Sequence, residues 1–177
     1  MMRGDLCGLV RDAHHDLTRI LVTMNGVMTP REQLLAQLES FQLRVQIHAG
    51  AEARVYEVVL AATAVDDVLA SLAATMEDEH LDQLAAADGL GSTVLGSLAW
   101  HEQVRELQSR VLHHAASSER RLTRLQQRMP AFVPLMVREY VTASTTVLGV
   151  TSPLCTLRPR RTRTPRRTWP LSMPLRA

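Results

Sequence analysis

The chain has 177 residues and a formal net charge of +2, and only 3% of its residues are aromatic. This length is enough for one domain with a real apolar core, and no apolar run approaches the ~20 residues of a membrane span. The only two cysteines, Cys7 and Cys155, lie far apart, which argues against a disulfide framework and fits a reducing compartment. With no apolar segment typical of a signal peptide, we expect a cytoplasmic protein, and the Ala- and Leu-rich composition predicts an all-α fold.

The charges divide the chain at about residue 151. All 18 acidic residues lie before this position, whereas seven of the 20 basic residues and five prolines follow it. We therefore predict three parts: a helical bundle over residues 1–130, a short additional helix within 131–150, and a disordered Pro/Arg-rich basic tail over 151–177. A basic tail can contact nucleic acid or an anionic membrane, but an extension without a role is the simpler interpretation, and the bundle itself predicts no nucleic-acid partner.

The first predicted helix spans about residues 5–24 and ends at Asn25-Gly26. Thr29-Pro30-Arg31-Glu32 then starts a second helix, because a capping threonine, a proline in the first turn and a glutamate three residues after the cap are typical of a helix N-terminus. On the first helix the apolar stripe contains one polar side chain, His14. The stripe consists of Leu6, Val10, Leu17, Ile20 and Met24.

The second helix, to about residue 60, has two polar side chains on its buried face. His48 and Glu52 continue the stripe formed by Leu34, Leu38, Phe41 and Val45, and Val55 and Val59 follow. Burying a polar group without a partner costs about 1–3 kcal/mol, and a charge costs more. Two compensations are open: a hydrogen bond between His48 and its own i+4 glutamate, or a metal ion shared with other helices.

The third and fourth helices repeat the pattern. The third begins near Thr63 and Asp66 and places His80 on its stripe, and Gly89, Gly91 and Gly96 predict a loose connection after it. The fourth runs from about residue 97 to 129 and places His114 on its stripe; Pro130 ends it. Each of the four helices thus has one inward histidine, which an ordinary apolar core would not produce. The two stripes consist of Val65, Leu69, Leu72, Met76 and Leu84, and of Val104, Leu107, Val111, Leu122 and Leu125.

The order of these residues resembles the hemerythrin-like (HHE cation-binding) family. The matching elements are His14, His48-x-x-x-Glu52, His80, and His114 with Glu119, and they cover about residues 5–128. The resemblance implies an up-down-up-down four-helix bundle with a non-haem di-iron centre. It also implies that these six residues are the metal ligands and that both carboxylates bridge the two ions.

Two departures from the family pattern affect this interpretation. Oxygen carriers of the family have a second histidine one turn from the first on the third helix, but here Met76 and Leu84 occupy those positions. Glu77 or Glu79 could fill the gap. On the fourth helix the residue four after His114 is Ser118, and the carboxylate comes at five.

Three functions are compatible with the sequence, which contains no phosphate-binding loop, nucleophile elbow, cysteine-based zinc pattern or DNA-reading motif. The first is an iron protein that binds O₂, nitric oxide or peroxide species for sensing, storage or detoxification. The second is an enzyme, a di-metal oxidase or peroxide-decomposing protein. The third is a metal-free helical interaction module. The oligomeric state is not predicted by the pattern.

Overall fold

The computed structural model describes residues 5–62 and 67–150, and all the regular secondary structure within these ranges is helical. This confirms the all-α prediction. The start of the third helix at 63–66 and the predicted tail at 151–177 lie outside the described residues. The helices are α1 (Leu6–Met24), α2 (Arg31–Ala62), α3 (Asp67–Gly91), α4 (Leu98–Arg128) and α5 (Val133–Val150), with one 3₁₀ turn at Pro130–Phe132.

Side-chain caps start two of the helices where the sequence predicts them. Asp5 accepts a hydrogen bond from the backbone N–H of Cys7 at 3.1 Å, and Ser97 accepts one from Trp100 at 3.1 Å. Each cap satisfies a backbone donor that the first helical turn leaves unpaired, which stabilises the helix by about 1 kcal/mol.

The prediction for Gly89 and Gly91 is wrong, because both residues belong to α3 and not to a connection. Each glycine costs a helix about 1 kcal/mol relative to alanine. Ala87 and Leu90, on the same turns, are completely buried, and burying a leucine side chain contributes about 1.5–3 kcal/mol. Packing therefore extends the helix through both glycines. Of the three glycines in the predicted connection, only Gly96, with a φ of 75°, has a backbone conformation that favours glycine.

Each of the first four helices packs against its neighbours in sequence, and α4 also packs against α1. Helix α1 packs against α2 and α4, and α3 packs against α2 and α4. Hydrogen bonds join the ends of α1 and α4 in an antiparallel sense: the Trp100 indole donates to the Met24 carbonyl at 3.5 Å, and the Cys7 thiol donates to the Gln126 side chain at 3.3 Å. Gln42, early in α2, likewise contacts Asp88, late in α3, at 3.0 Å.

Helix α5 is a fifth element that packs mainly against α2. Its buried residues are Met136 and Tyr140, one helical turn apart, and they join the apolar cluster at one end of the bundle. None of the described helices is long and apolar enough to cross a membrane.

The apolar interior consists of two clusters with a polar layer between them. Along α1 the change occurs between Val10 and Leu17, which belong to different clusters, with His14 between them. The same division occurs in α2 between Val45 and Val55, and in α4 between Val111 and Leu122. The core therefore holds the buried histidines between two packed apolar layers.

Two glycine substitutions should change stability in opposite directions. Gly50 lies within α2, and a Cβ atom added there meets no atom within 4 Å. We expect Gly50→Ala to raise the free energy of unfolding by about 0.5–1 kcal/mol, because alanine loses less backbone entropy in a helix. Gly96→Ala should lower it by about 1–2 kcal/mol, because its positive φ disfavours a side chain. Urea denaturation of both variants measures this difference, and a shift of the same sign in both would contradict the described backbone.

Candidate metal centre

Four side chains from three helices meet in the polar layer. His14, His48, Glu52 and His114 each offer a ligand atom, and these atoms all lie within 4.8 Å of one another. All four side chains are at most 2% exposed. The cluster is compact enough, and has the right chemical groups, to hold a metal ion.

His80 brings the third helix to the edge of this cluster. Its Nε2 atom lies 3.5 Å from Oε2 of Glu52, and its ring centroid lies 4.4 Å from that of His114. The residue is 5% exposed. His80 is therefore next to the group of four and reaches it through Glu52.

Glu52 is the centre of the arrangement. Its Oε1 atom lies 3.6 Å from Nε2 of His48, whereas its Oε2 atom lies 3.6 Å from Nε2 of His114 and 3.5 Å from His80. The two carboxylate oxygens thus face different imidazoles. The Ser118 hydroxyl donates a hydrogen bond of 2.5 Å to Oε1. This serine is the residue four after His114, so the position of the expected one-turn carboxylate holds a hydrogen-bond donor to Glu52.

The alternative of a hydrogen bond between His48 and its own i+4 glutamate is not what the structure has. The Nε2 to Oε1 distance of 3.6 Å is too long for a hydrogen bond, and Nε2 of His48 has no hydrogen-bond partner among residues 5–62 and 67–150. The other ring nitrogen, Nδ1, contacts the hydroxyl of Tyr140 at 3.3 Å. Tyr140 therefore contacts one edge of the His48 ring, while Nε2 on the other edge faces Glu52.

Glu119 lies beside the cluster and not among the four central residues. One of its oxygens is 3.7 Å from Nδ1 of His14, and the other accepts a hydrogen bond from Arg11 at 3.2 Å. The side chain is 27% exposed. Its role as a bridging ligand therefore stays a prediction, since the carboxylate is near His14 but is also paired at the surface.

Glu79 orients one imidazole and does not enter the centre. It accepts a hydrogen bond from Nδ1 of His114 at 2.8 Å and is also bonded by Arg121 at 3.1 Å. An ionised carboxylate only accepts, so the proton of the imidazole is on Nδ1 when the ring is neutral, and Nε2 faces Glu52 with a free lone pair. Histidines that bind metal are commonly held in this way.

Sequence reasoning missed two buried polar residues near this layer, Tyr140 and Gln83. Tyr140 comes from α5; the four-residue spacing from Met136 was the available signal, but a helix outside the bundle motif gave no reason to connect it with His48. Gln83 is 1% exposed, and neither of its amide atoms has a hydrogen-bond partner among the described residues. It follows His80 by three residues and therefore lies on the same helix face. The exposed His15 and His113 take no part in the cluster.

Burial and the Glu52 charge divide the imidazoles into two groups. Burial lowers the pKa of His48 to about 3 and that of His80 to about 4, although Glu52 opposes the change in both, and it lowers the pKa of His14 in the same way. Burial also opposes protonation of His114, but the negative charge of Glu52 and the hydrogen bond and charge of Glu79 outweigh it, so its pKa is raised.

The ionised form of Glu52 is favoured despite complete burial. Burial alone raises its pKa, but His48, His114 and His80 together lower it below the ordinary value. The lowered pKa values of His14, His48 and His80 favour neutral imidazoles beside this carboxylate. Neutral imidazoles are the form that binds metal ions.

The residues fit a metal ion because their inward atoms have no other partner. Within the described protein, no hydrogen bond reaches Nε2 of His48, His80 or His114, either ring nitrogen of His14, or Oε2 of Glu52. Buried polar atoms are almost always hydrogen-bonded, so this concentration of unpaired nitrogen and oxygen atoms requires an explanation. Imidazole nitrogen with carboxylate oxygen is a donor set suited to iron, zinc or manganese.

Comparisons with protein-family models, with curated proteins and with solved structures give no match to this chain. The functional assignment therefore depends on the residues and their geometry alone.

The metal-free protein should lose stability on acidification below pH 6.5. His48 and His80 stay neutral in the folded state down to about pH 3 and about pH 4, but in the unfolded chain they protonate near 6.5. The unfolded state then binds more protons, so the free energy of unfolding falls by about 1.4 kcal/mol per pH unit for each imidazole. Below pH 4.5, protonation of Glu52 in the unfolded chain adds to the loss of stability.

Urea denaturation of metal-free protein between pH 7 and 4.5 measures this slope. We expect His48→Leu to reduce the slope by the contribution of one imidazole, since the group that titrates only on unfolding is gone. His15→Leu, which changes an exposed histidine on α1, is the control and should keep the original slope. A stability that does not depend on pH in this range would contradict buried neutral imidazoles.

Proposed function

We propose that the protein is a hemerythrin-like iron protein that binds O₂, nitric oxide or peroxide species for sensing, storage or detoxification. In this proposal α1 to α4 form an up-down-up-down four-helix bundle of the hemerythrin type. The metal centre holds two iron ions, and the ligands are those that the sequence pattern names: His14, His48, Glu52, His80, His114 and Glu119.

The observation that carries the proposal is the set of unpaired, buried ligand atoms that converge from different helices. Leaving several polar atoms unpaired in a core costs about 1–3 kcal/mol for each. A bound cation would satisfy them together, because each imidazole nitrogen and carboxylate oxygen could direct a lone pair to it. A metal-free interaction module has no comparable reason to keep His14, His48, His80 and His114 in one layer.

The position of Glu52 supports two ions over one. One of its oxygens faces His48, and the other faces His80 and His114. A carboxylate placed in this way suits a bridge between two cations, and its negative charge would offset part of theirs. Glu119 lies 3.7 Å from His14 on the other side of the cluster and would supply the second bridge if it left Arg11.

The surrounding residues would hold the ligands and control their protonation. Glu79 fixes the tautomer of His114, and Tyr140 contacts the outer nitrogen of His48. Iron, when bound, supplies an open coordination position at which a small oxygen or nitrogen-oxide molecule binds. Protons compete with iron for the imidazole nitrogens, and the raised pKa of His114 strengthens this competition, so iron affinity should fall at low pH.

Metal analysis of the purified protein tests the proposal. After anaerobic reconstitution with Fe²⁺ we expect about two iron ions per chain, as in di-iron carboxylate bundles. Less than about one would favour the metal-free interaction module and remove both iron functions. Steady consumption of peroxide by the loaded protein would identify the peroxide-decomposing enzyme instead of a carrier or sensor.

Glu119→Ala gives the sharpest test of the ligand set, because this carboxylate is the least buried of the six proposed ligands. We expect iron content to fall, with the second ion lost first, while the helical circular-dichroism signal stays largely unchanged, since the apolar clusters remain packed. Removal of one negative charge beside the irons is the physical reason.

Glu106→Ala is the matched control. Glu106 is on the same helix but exposed and paired with Arg110 at 2.6 Å. The Glu106→Ala variant should keep its full iron content. Equal loss in both variants, or loss in neither, would mean that Glu119 is not a ligand.

A further inference from the structure

One buried polar side chain of the core, Gln83, lies outside the set of six proposed ligands. It is 1% exposed, and among residues 5–62 and 67–150 no hydrogen bond reaches its amide oxygen or its amide nitrogen. The large majority of buried polar side-chain atoms have a partner, and an unpaired amide in a core destabilises the fold. A buried glutamine in this state therefore requires a reason.

Along α3, Gln83 lies in the polar layer and not in either apolar cluster. Met76 belongs to one cluster and Ala87 to the other, and the buried residues between them are His80 and Gln83. Three residues of helix separate these two, which corresponds to about 4.5 Å along the axis. Gln83 is therefore close to the level of the candidate metal centre.

The side chain of Gln83 faces the interior of the bundle. At about 100° per residue, the buried residues of α3 from position 76 onward fall within an arc of about 80°. Gln83 lies nearer the middle of this arc than His80 does. The residues of the arc are Met76, His80, Gln83, Ala87 and Leu90.

Gln83 also lies beside the fourth helix. It lines a cleft between α3 and α4 together with His114 and Glu79, but its amide atoms are buried and so do not open into the cleft. The ring centroids of His80 and His114 are 4.4 Å apart, and their Nε2 atoms lie 3.5 and 3.6 Å from Oε2 of Glu52. This half of the layer thus consists of two imidazoles and one carboxylate oxygen, with the glutamine beside them.

No other side chain of α3 is placed to add a ligand to this half. Of the two acidic candidates, Glu77 is exposed and Glu79 is bonded to the outer nitrogen of His114. Within the described part of α3, only His80 and Gln83 are both polar and buried. Gln83 is therefore the residue that could stand where the sequence lacks a second histidine.

An amide oxygen suits this position chemically. The carbonyl oxygen of glutamine is a hard, uncharged ligand that binds divalent cations in proteins. Because it is uncharged, it adds no negative charge beside Glu52, so its burial in the metal-free protein costs less than that of a further carboxylate.

We propose that Gln83 is a seventh metal ligand, whose side-chain oxygen binds the cation on the Oε2 side of Glu52 together with His80 and His114. The inference rests on the proposed metal centre. It does not depend on iron, because imidazole nitrogen and amide oxygen bind several divalent cations.

Gln83→Leu distinguishes a ligand from a residue that only packs. Leucine is of similar size and removes two unpaired polar atoms, so the urea midpoint of the metal-free protein should rise. In anaerobic calorimetric titration with Fe²⁺, the same variant should bind one of its two ions at least tenfold more weakly. A higher midpoint with unchanged iron binding, or a lower midpoint together with weaker binding, would overturn the assignment.

Gln83→Glu tests whether the oxygen is what matters. It retains a side-chain oxygen at the same distance from the backbone, so it should bind both ions, whereas its metal-free form should have a lower urea midpoint because it buries another charge. Iron binding no better than that of Gln83→Leu would count against a ligand role.

Gln46→Leu is the matched control, since Gln46 is an exposed glutamine on α2, two residues before His48. It should bind iron like the original chain. Equal loss of iron in Gln46→Leu and Gln83→Leu would mean that the effect is not specific to Gln83.

The two proposals fail in different ways. A chain that binds Zn²⁺ or Mn²⁺ but less than about one Fe²⁺, and that loses one ion in Gln83→Leu, would overturn the iron function and support this ligand. Two tightly bound Fe²⁺ ions in both the original chain and Gln83→Leu would overturn the ligand alone. A chain that binds none of the three cations would overturn both.

Discussion

The buried Glu52 carboxylate is the constraint on which the rest of this structure depends. A charge in the core of a helical bundle is tolerated only when other groups compensate it, since the desolvation cost amounts to several kcal/mol. Here Ser118 donates a hydrogen bond to it and imidazoles from α2, α3 and α4 surround it. Glu79 holds the ring of His114, and together with Glu52 it raises the pKa of this imidazole, which favours a positive charge beside the carboxylate. Each helix of the bundle must therefore keep its register, because a shift of one turn would move a histidine away from Glu52.

The packing of two apolar clusters offsets the free-energy cost of burying this polar layer. One cluster joins the end of α1 to the start of α4, where Met24 and Trp100 meet, and the other joins the start of α1 to α5. Packing at both ends fixes the helices, so the side chains between them are positioned before any ion binds. Preorganisation of this kind lowers the cost of ordering ligands on binding, and it lets a metal site tolerate the loss of one ligand without loss of the fold.

Much of this architecture could be predicted from the sequence, because helical periodicity has a strong local signal. Four apolar stripes, each with one inward histidine, predict that His14, His48, His80 and His114 are buried, and the buried cluster contains or adjoins all four. Glu52 followed from the same spacing. Stripe periodicity reports which face of a helix is buried, and that is what these positions have in common.

The rest depends on contacts between helices, which periodicity does not report. Ser118 and Glu119 are adjacent in sequence, yet the serine is buried against Glu52 and the glutamate is shared between His14 and the exposed Arg11. A rotation of about 100° per residue separates them, and only the packing of α4 decides which one faces inward. Tyr140 lies on a helix outside the motif, and the extension of α3 through Gly89 depends on the burial of Leu90.

The two sides of the polar layer differ, and this difference links the fold to the chemistry. Along α4 the layer is closed by long polar side chains: Arg11 of α1 meets Glu119, and Arg121 meets Glu79 of α3. Between α2 and α3 lies an open groove beside Glu52 and His80, lined mainly by small and aliphatic side chains. Small residues here forgo packing that leucine would provide, at a cost of about 0.8 kcal/mol for each CH₂ group not buried. The helix pair that supplies Glu52 and His80 thus packs less densely beside the polar layer than the helices on the opposite side of it.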